Sequence, residues 1–278
     1  MMEMQNVPTA VLLGGDHRMA HAAAELQNAG YAVTFWGRDS CASPPTAETA
    51  LSDADLVVLP IPATRDGVHL NAPDAPQSIS LEEIVAALRP DQTVVGGTLP
   101  EKIADAVLTK GCRIYDCQTD ERFILPNALA TAEGAIAMAI AESDGLLAES
   151  DCVVLGFGRV AKQLCRLLLA MGARVTVIAR RESDRILART LGYAALPFYE
   201  ADTALARATL LFNTVPARLT DFARASGTII DLAPVYEPSQ MPVKVIRAAA
   251  LPAKYAPAYA GRLMARCILA HLSEVKQL

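Results

Sequence analysis

The run Cys152-Val153-Val154-Leu155-Gly156-Phe157-Gly158-Arg159-Val160-Ala161 carries an apolar strand into a G-x-G-x-x-A turn, and residues 162–171 continue it as a helical stretch. Gly156 permits the tight turn. Gly158 lets a pyrophosphate approach the backbone with no Cβ in the way, and small Ala161 lets the helix pack close to the strand. The helix N-terminus, which opens at Arg159 and Val160, offers free N–H groups and a partial positive charge to the phosphates. Gly172 closes the helix and a second strand, Arg174–Ala179, follows. This context predicts a Rossmann-like dinucleotide-binding domain starting near Asp151. The alternative is a structural strand-to-helix turn with no ligand.

The second strand of such a domain normally ends in Asp or Glu, which bonds the ribose 2′-hydroxyl of NAD. Here it ends in Arg180 and Arg181, with Ser183 nearby. Guanidinium groups form paired, charge-assisted bonds with phosphate oxygens, so the pair favours NADP, with NAD the alternative if Glu182 serves the ribose instead. Two later loops also fall at strand ends: Asn213-Thr214-Val215-Pro216 after Phe212, and Asp231-Leu232-Ala233-Pro234 after residues 228–230. Both are expected at the nicotinamide end, where an Asn or Thr side chain can orient the carboxamide; as structure alone they are ordinary turns.

Working outward, residues 1–127 alternate short β-branched runs with helical stretches, the pattern of βαβ units around a parallel sheet. Strands are expected at Thr9–Leu13, Ala32–Trp36, Leu56–Leu59, Thr93–Val95 and Arg113–Tyr115, and helices near Met19–Asn28, Leu81–Leu88 and Lys102–Leu108, two of which end at Gly30 and Gly111. The loop from Pro62 to Pro76 follows a strand that reads as fully buried, so it projects from the carboxyl edge where ligands bind in this architecture. Residues 128–150 read as a long inter-domain helix, residues 151–254 as the NADP-binding domain, and residues 255–278 as a last helix that returns to complete the first domain. The fold class is α/β: two doubly wound parallel-sheet domains, Rossmann-like or flavodoxin-like, joined by long helices in the manner of formate/glycerate dehydrogenases.

The chain has 278 residues, enough for two ordinary cores, and is 52% apolar and 20% charged. Net charge is -5 and no basic run exceeds Arg180-Arg181, which argues against nucleic acid as a ligand. The opening MMEMQNVPTAVLLGG reads as neither a signal peptide nor a membrane span, so a cytoplasmic protein is expected. Six cysteines (Cys41, Cys112, Cys117, Cys152, Cys165, Cys267) match no metal or disulfide spacing and are expected to be buried small hydrophobes. There is no G-x-S-x-G, H-E-x-x-H or P-loop, which leaves hydrolase and NTPase readings without residues.

With those residues in place, the whole chain resembles the dipicolinate synthase A-subunit family of spore-forming bacteria. The resemblance rests on Gly14-Gly15-Asp16-x-Arg18, on Leu59-Pro60 with Thr64-Arg65-Asp66-Gly67, and on Thr131-Ala132-Glu133-Gly134-Ala135-Ile136. It also covers Gly156-Phe157-Gly158-Arg159, Asn213-Thr214-Val215-Pro216, and the tail from Leu251 to Gly261. The tail departs from it: Ala250 and Ala253 stand where glycine is expected and Ala258 where lysine is usual. The resemblance implies NADP-dependent oxidation of a small dicarboxylate, dihydrodipicolinate, to dipicolinate, with a second flavoprotein-like subunit.

That reaction needs cations for two carboxylates and little acid–base machinery, because the product is aromatic. Arg65, Lys254 and Arg262 are the candidate cations, with Thr64, Gly97 and Thr98 as further substrate contacts; each Arg or Lys has a solvated surface role as its alternative. Glu133, at the expected domain junction, is a candidate base, as is a water held by Thr131 or Thr98. Helix support in a first turn is the other reading of Glu133. The histidines are His17, His21, His69 and His271. The gap between the last two weakens a rival reading as a 2-hydroxy or amino acid dehydrogenase, which needs a His between its domains. A second rival is an NADP(H)-sensing regulatory or scaffold subunit without turnover. Homo-oligomers formed through the inter-domain helix are expected.

Overall fold

The structure is a computed structural model that describes residues 7–37, 46–75, 77–218, 222–275 and 277. Cys41, and Pro76 at the end of the predicted loop, lie outside the described residues. The chain forms two compact units: Met1–Ile124 with Pro257–Leu278, and Leu125–Ala256.

In the first unit β1 (Thr9–Leu13), α1 (His17–Asn28), β2 (Ala32–Trp36), α2 (Ala47–Leu51), β3 (Leu56–Val58), α3 (Leu81–Ala87), β4 (Thr93–Gly96), α4 (Glu101–Thr109) and β5 (Arg113–Asp116) follow in order. Its sheet is parallel throughout, in the order β2-β1-β3-β4-β5, which is flavodoxin-like. The central strands are continuous apolar runs because helices cover both faces. Val11 and Leu13 of β1 feed a core with α3, whereas Ala10 and Leu12 face Met19, Ala22 and Leu26 of α1 and Met264 and Ile268 of the C-terminal helix. That helix approaches α1 so closely that a Cβ at Gly261 would lie 2.2 Å from the Arg18 carbonyl oxygen. The sequence reading missed α2, a single short turn-and-a-half capped by Thr46, whose side chain accepts from the Thr49 N–H.

The second unit opens within α5 (Glu121–Ala141) and continues with β6 (Asp151–Leu155), α6 (Arg159–Ala170), β7 (Arg174–Ile178), α7 (Glu182–Thr190), β8 (Ala194–Leu196), α8 (Asp202–Arg207), β9 (Leu210–Asn213), β10 (Thr228–Asp231), β11 (Val245–Arg247) and α9 (Leu251–Tyr255). Its six parallel strands run β8-β7-β6-β9-β10-β11, the Rossmann order, with the switch point between β6 and β9. α10 (Pro257–Val275) then returns to the first unit.

Two helix boundaries differ from the sequence reading. α5 begins at Glu121 and ends at Ala141, not at 128 and 150. Pro126 reads as a helix stop, but it sits inside the helix, because Asp120 caps the first turn through the Arg122 N–H at 2.8 Å and buried Phe123 anchors it. The single last helix expected from residue 255 is two helices, α9 and α10. The residue before Pro257 avoids helical backbone, and Ala256 has φ −140°. By length and composition α5 is apolar enough to cross a bilayer, and half of its most apolar stretch is buried inside the protein.

Candidate functional site

At the end of β6, Gly156 has φ +91° and its N–H donates to the Ile178 carbonyl at 2.8 Å. A Cβ there would sit 2.7 Å from Val215 Cγ2 and 2.8 Å from Thr214 Oγ1. Glycine is required at this point both by the left-handed backbone and by the loop after β9. The Thr214 hydroxyl locks that loop down, donating to the Leu155 carbonyl at 2.7 Å. Gly158 is the N-cap of α6, makes no side-chain capping bond, and would point a Cβ into space with nothing within 4 Å. Fully buried Ala161 lets α6 lie on the sheet, and Phe157 packs edge-on against Tyr193. Arg159 is exposed and Val160 half-buried in the first turn. The cradle a pyrophosphate requires is therefore present: uncapped N–H groups, a bare Cα and a supported turn.

The turn after β7 is held by Arg185, which donates to the Ala179 and Arg180 carbonyls at 2.9 and 2.7 Å. Arg180, Arg181 and Ser183 are exposed, and the two guanidinium groups at 180 and 181 have no partner among the described residues. They are available to an anion at the ribose position.

Asn213 and Asp231, the last residues of β9 and β10, are 1% and 0% exposed. Asn213 Nδ2 donates to Asp231 Oδ1 at 2.8 Å and to the Val215 carbonyl at 3.2 Å, and its Oδ1 accepts from the Val215 N–H at 3.1 Å. Asp231 Oδ2 accepts from the Val235 and Tyr236 N–H groups, each at 3.1 Å. Both side chains brace the loops that follow their strands, and of the loop after β9 it is Thr214, Val215 and Pro216 that are partly or fully exposed, while Asn213 and Asp231 are buried.

On the first unit, the residues singled out for substrate contact gather at the carboxyl edge of the sheet. The Ala63 N–H donates to the Gly97 carbonyl at 2.9 Å, and a Cβ on Gly97 would meet Gln118 and Ile61. Thr98 is exposed with φ +62°, a conformation strained for a β-branched residue. Arg65 is exposed; its Nε donates to Asn71 Oδ1 at 3.0 Å beside an open cavity of about 290 Å³ that Asp66, His69 and Leu70 also line. The Thr64 hydroxyl is committed, donating to Asp66 and accepting from the Gly67 N–H. N–H groups of His69 and Val68 and the His69 ring hold the Asp66 carboxyl well below the usual range.

The sequence reading did not assign a role to Arg18. Its guanidinium is paired with Asp16, Nη2 to Oδ2 at 2.8 Å, and reaches the Ile61 carbonyl at 2.6 Å, tying the loop after β1 to the loop after β3. An Asp two residues before an Arg at a helix start was the available signal. His17 is exposed in the first turn of α1.

Thr131, Glu133 and Lys254 belong to the second unit. The Thr131 hydroxyl donates to the Asn127 carbonyl at 2.8 Å. Glu133 is exposed in the middle of α5 and not in a first turn, because the helix starts twelve residues earlier, so it lies too far from the N-terminus to be supported by the helix dipole. Gly134 beside it admits α9: a Cβ would lie 2.9 Å from Leu251 Cβ. Lys254 is exposed with Nζ 5.1 Å from the centre of the Tyr255 ring. Arg262 is exposed on α10 of the first unit.

Residues 9–118 match the family profile of the dipicolinate synthase A-subunit N-terminal domain, and residues 146–231 match a putative NAD(P)-binding family. The chain is 26% identical over 247 residues to the dipicolinate synthase A-subunit of Bacillus subtilis strain 168, covering 82% of this chain and 81% of that protein. The first unit matches that family over residues 9–118, and the similarity to its Bacillus subtilis member runs along most of the chain. The crystal structure of the dipicolinate synthase A-subunit from Bacillus halodurans superposes with a TM-score of 0.82 at 24% identity, covering 97% of this chain and 99% of that one. A transhydrogenase from Sinorhizobium meliloti shares the fold more distantly, with a TM-score of 0.64 at 16% identity over 95% and 94% of the two chains. The second unit is an NAD(P)-binding Rossmann-like domain over residues 146–231. At Ala250 the backbone has φ +53°, a conformation glycine adopts freely, so the alanine that departs from the family resemblance carries strain.

Proposed function

We propose that this chain is an NADP-dependent oxidoreductase that dehydrogenates dihydrodipicolinate to dipicolinate and works with a second, flavoprotein-like subunit. The observation that carries the cofactor half of this reading is the bare Gly158 cradle on uncapped α6 with exposed, unpartnered Arg180 and Arg181 at the end of the neighbouring strand. Gly156, Gly158 and the N–H groups from Arg159 to Ala161 hold the pyrophosphate; Thr214, Val215 and Pro216 flank the cofactor, with Asn213 and Asp231 fixing them. Arg180 and Arg181, with Ser183, bind the 2′-phosphate. When bound, the nicotinamide accepts the hydride.

The substrate half rests on the similarity to dipicolinate synthase A-subunits. Arg65, Thr98 and the backbone of Gly97 and Thr64 are the first unit's groups for a carboxylate, and Lys254 is the cation that α9 offers. Glu133, an exposed carboxylate, is assigned the ring proton, and the Thr131 hydroxyl, committed to the Asn127 carbonyl, orients a water through its free lone pairs. The relatives are named as one lettered component of a synthase, which supports a partner polypeptide.

The test is titration with NADPH and NADH, followed by nicotinamide fluorescence, for the native chain and Arg180→Ala. NADPH affinity is expected to fall at least ~10-fold in the variant with NADH unchanged, since a paired guanidinium–phosphate contact is lost. Equal losses for both nucleotides remove the NADP assignment. Turnover of dihydrodipicolinate, with and without the partner, then separates an enzyme from a sensing subunit, which binds cofactor and gives none.

A further inference from the structure

Asp231 is the one Asp, Glu, Lys or Arg among the described residues that is fully buried. It lies in a row that crosses the second sheet in register: Leu196, Ile178, Leu155, Asn213, Asp231 and Arg247, one residue from each strand. The row is apolar through β8, β7 and β6 and turns polar after the switch point, on the half of a Rossmann sheet that carries the nicotinamide.

The partners of Asp231 are all neutral. Its two oxygens accept three N–H bonds, from Asn213 Nδ2 and from the Val235 and Tyr236 backbones. Arg247, its register neighbour, is committed elsewhere: its guanidinium bonds Glu237 at 2.5 Å on the exposed side of β11. A carboxylate held by dipoles alone, away from water, projects a field that water screens weakly. A neutral Asn has a single acceptor oxygen and would turn its own NH2 toward one of these donors, so the three bonds call for the two oxygens of a carboxylate.

We infer that Asp231 is an electrostatic positioning residue that makes the second unit hold the oxidised, positively charged nicotinamide more tightly than the reduced, neutral one. The inference rests on the nicotinamide-binding reading above. When hydride leaves the donor carbon with the electron pair of its C–H bond and bonds nicotinamide C4, the donor is oxidised by two electrons and the ring loses its positive charge. A fixed anion on the nicotinamide half of the sheet therefore favours loading of the oxidised nucleotide and release of the reduced one, the order a dehydrogenation requires.

The test compares dissociation constants of NADP+ and NADPH, measured by calorimetry, for the native chain, Asp231→Asn and Asn213→Ser. In the native chain NADP+ is expected to bind more tightly than NADPH; the reverse preference overturns the proposal without any variant. Asp231→Asn, which keeps the side-chain size, removes the charge and turns an NH2 toward one of the former donors, is expected to weaken both nucleotides through the loop and NADP+ about tenfold more than NADPH through the charge. Asn213→Ser, which loosens the loop and leaves the charge, is expected to weaken both equally. A purely structural Asp231 would weaken both nucleotides by the same factor in Asp231→Asn, and that result sinks the electrostatic role while leaving cofactor binding intact. If neither nucleotide binds the native chain, the reading beneath it fails as well.

Discussion

In the first unit β1 passes into α1 through Gly14-Gly15-Asp16, and in the second β6 passes into α6 through Gly156-Phe157-Gly158. Both turns are glycine-rich, both sit at the switch point of a parallel sheet, and both open a twelve-residue helix. Their chemistry is opposite. Asp16 caps α1, accepting from the Arg18 N–H at 3.0 Å, so the helix start already holds an anion. The space is also taken: a Cβ on Gly14 would lie 2.5 Å from Ala72 Cβ. Gly158 brings neither a cap nor a neighbour. A glycine turn before a helix becomes a phosphate site only where the cap and the space are both left open, and the second unit alone meets that condition at its switch point.

The comparison can be broken most directly by Gly158→Asp, which gives α6 the cap that α1 has. Nucleotide affinity is expected to fall at least ~100-fold, because a carboxylate occupies the phosphate position, while the melting temperature holds or rises. A variant that still binds NADPH would show that the cradle lies elsewhere.

Next in size is Arg18→Ala, which takes the guanidinium away from the half-buried Asp16 carboxylate and the Ile61 carbonyl. It is expected to cost the first unit about 2 kcal/mol of stability by denaturant unfolding while nucleotide affinity is kept, since the closed turn is a brace.

Acid sharpens the contrast further. In the first unit the carboxyls of Asp16, Asp55, Asp66, Glu82, Glu83 and Asp120 are held below their usual range; in the second, among the described residues, Asp151 alone is. Burial pushes Asp16 up, but the Arg18 guanidinium and N–H outweigh it. A carboxyl lowered in the folded state adds stability above its unfolded value, near pH 4, and loses it as pH falls through the folded one. Hydrogen exchange below pH 4 is therefore expected to lose protection in β1 and β3 before β6 and β9; simultaneous loss would contradict it.

The smallest expected effect is that of Ala250→Gly, which relieves the left-handed alanine at φ +53° and should stabilise the second unit by about 0.5–1 kcal/mol, read as a rise in melting temperature.

The strands were legible because a buried parallel strand is a local apolar run: Thr9–Leu13 and Ala32–Trp36 were read to the residue. The glycine turn at 156–158 was legible for the same reason, since its spacing lies within one stretch of chain. The start of α5 was not, because a proline inside a helix is tolerated only when a cap and a buried anchor outweigh the lost bond, and Phe123 is identified as that anchor by its burial alone.

The sequence by itself determined the α/β class and the place of the dinucleotide fingerprint, both of which are written in local patterns. Tertiary structure alone decided that Asn213 and Asp231 bond each other across eighteen residues and that Arg18 reaches Ile61 across forty-three. Such contacts follow from strand register and sheet order, which bring residues distant along the chain to one edge, and no local pattern of residues encodes which of them will meet.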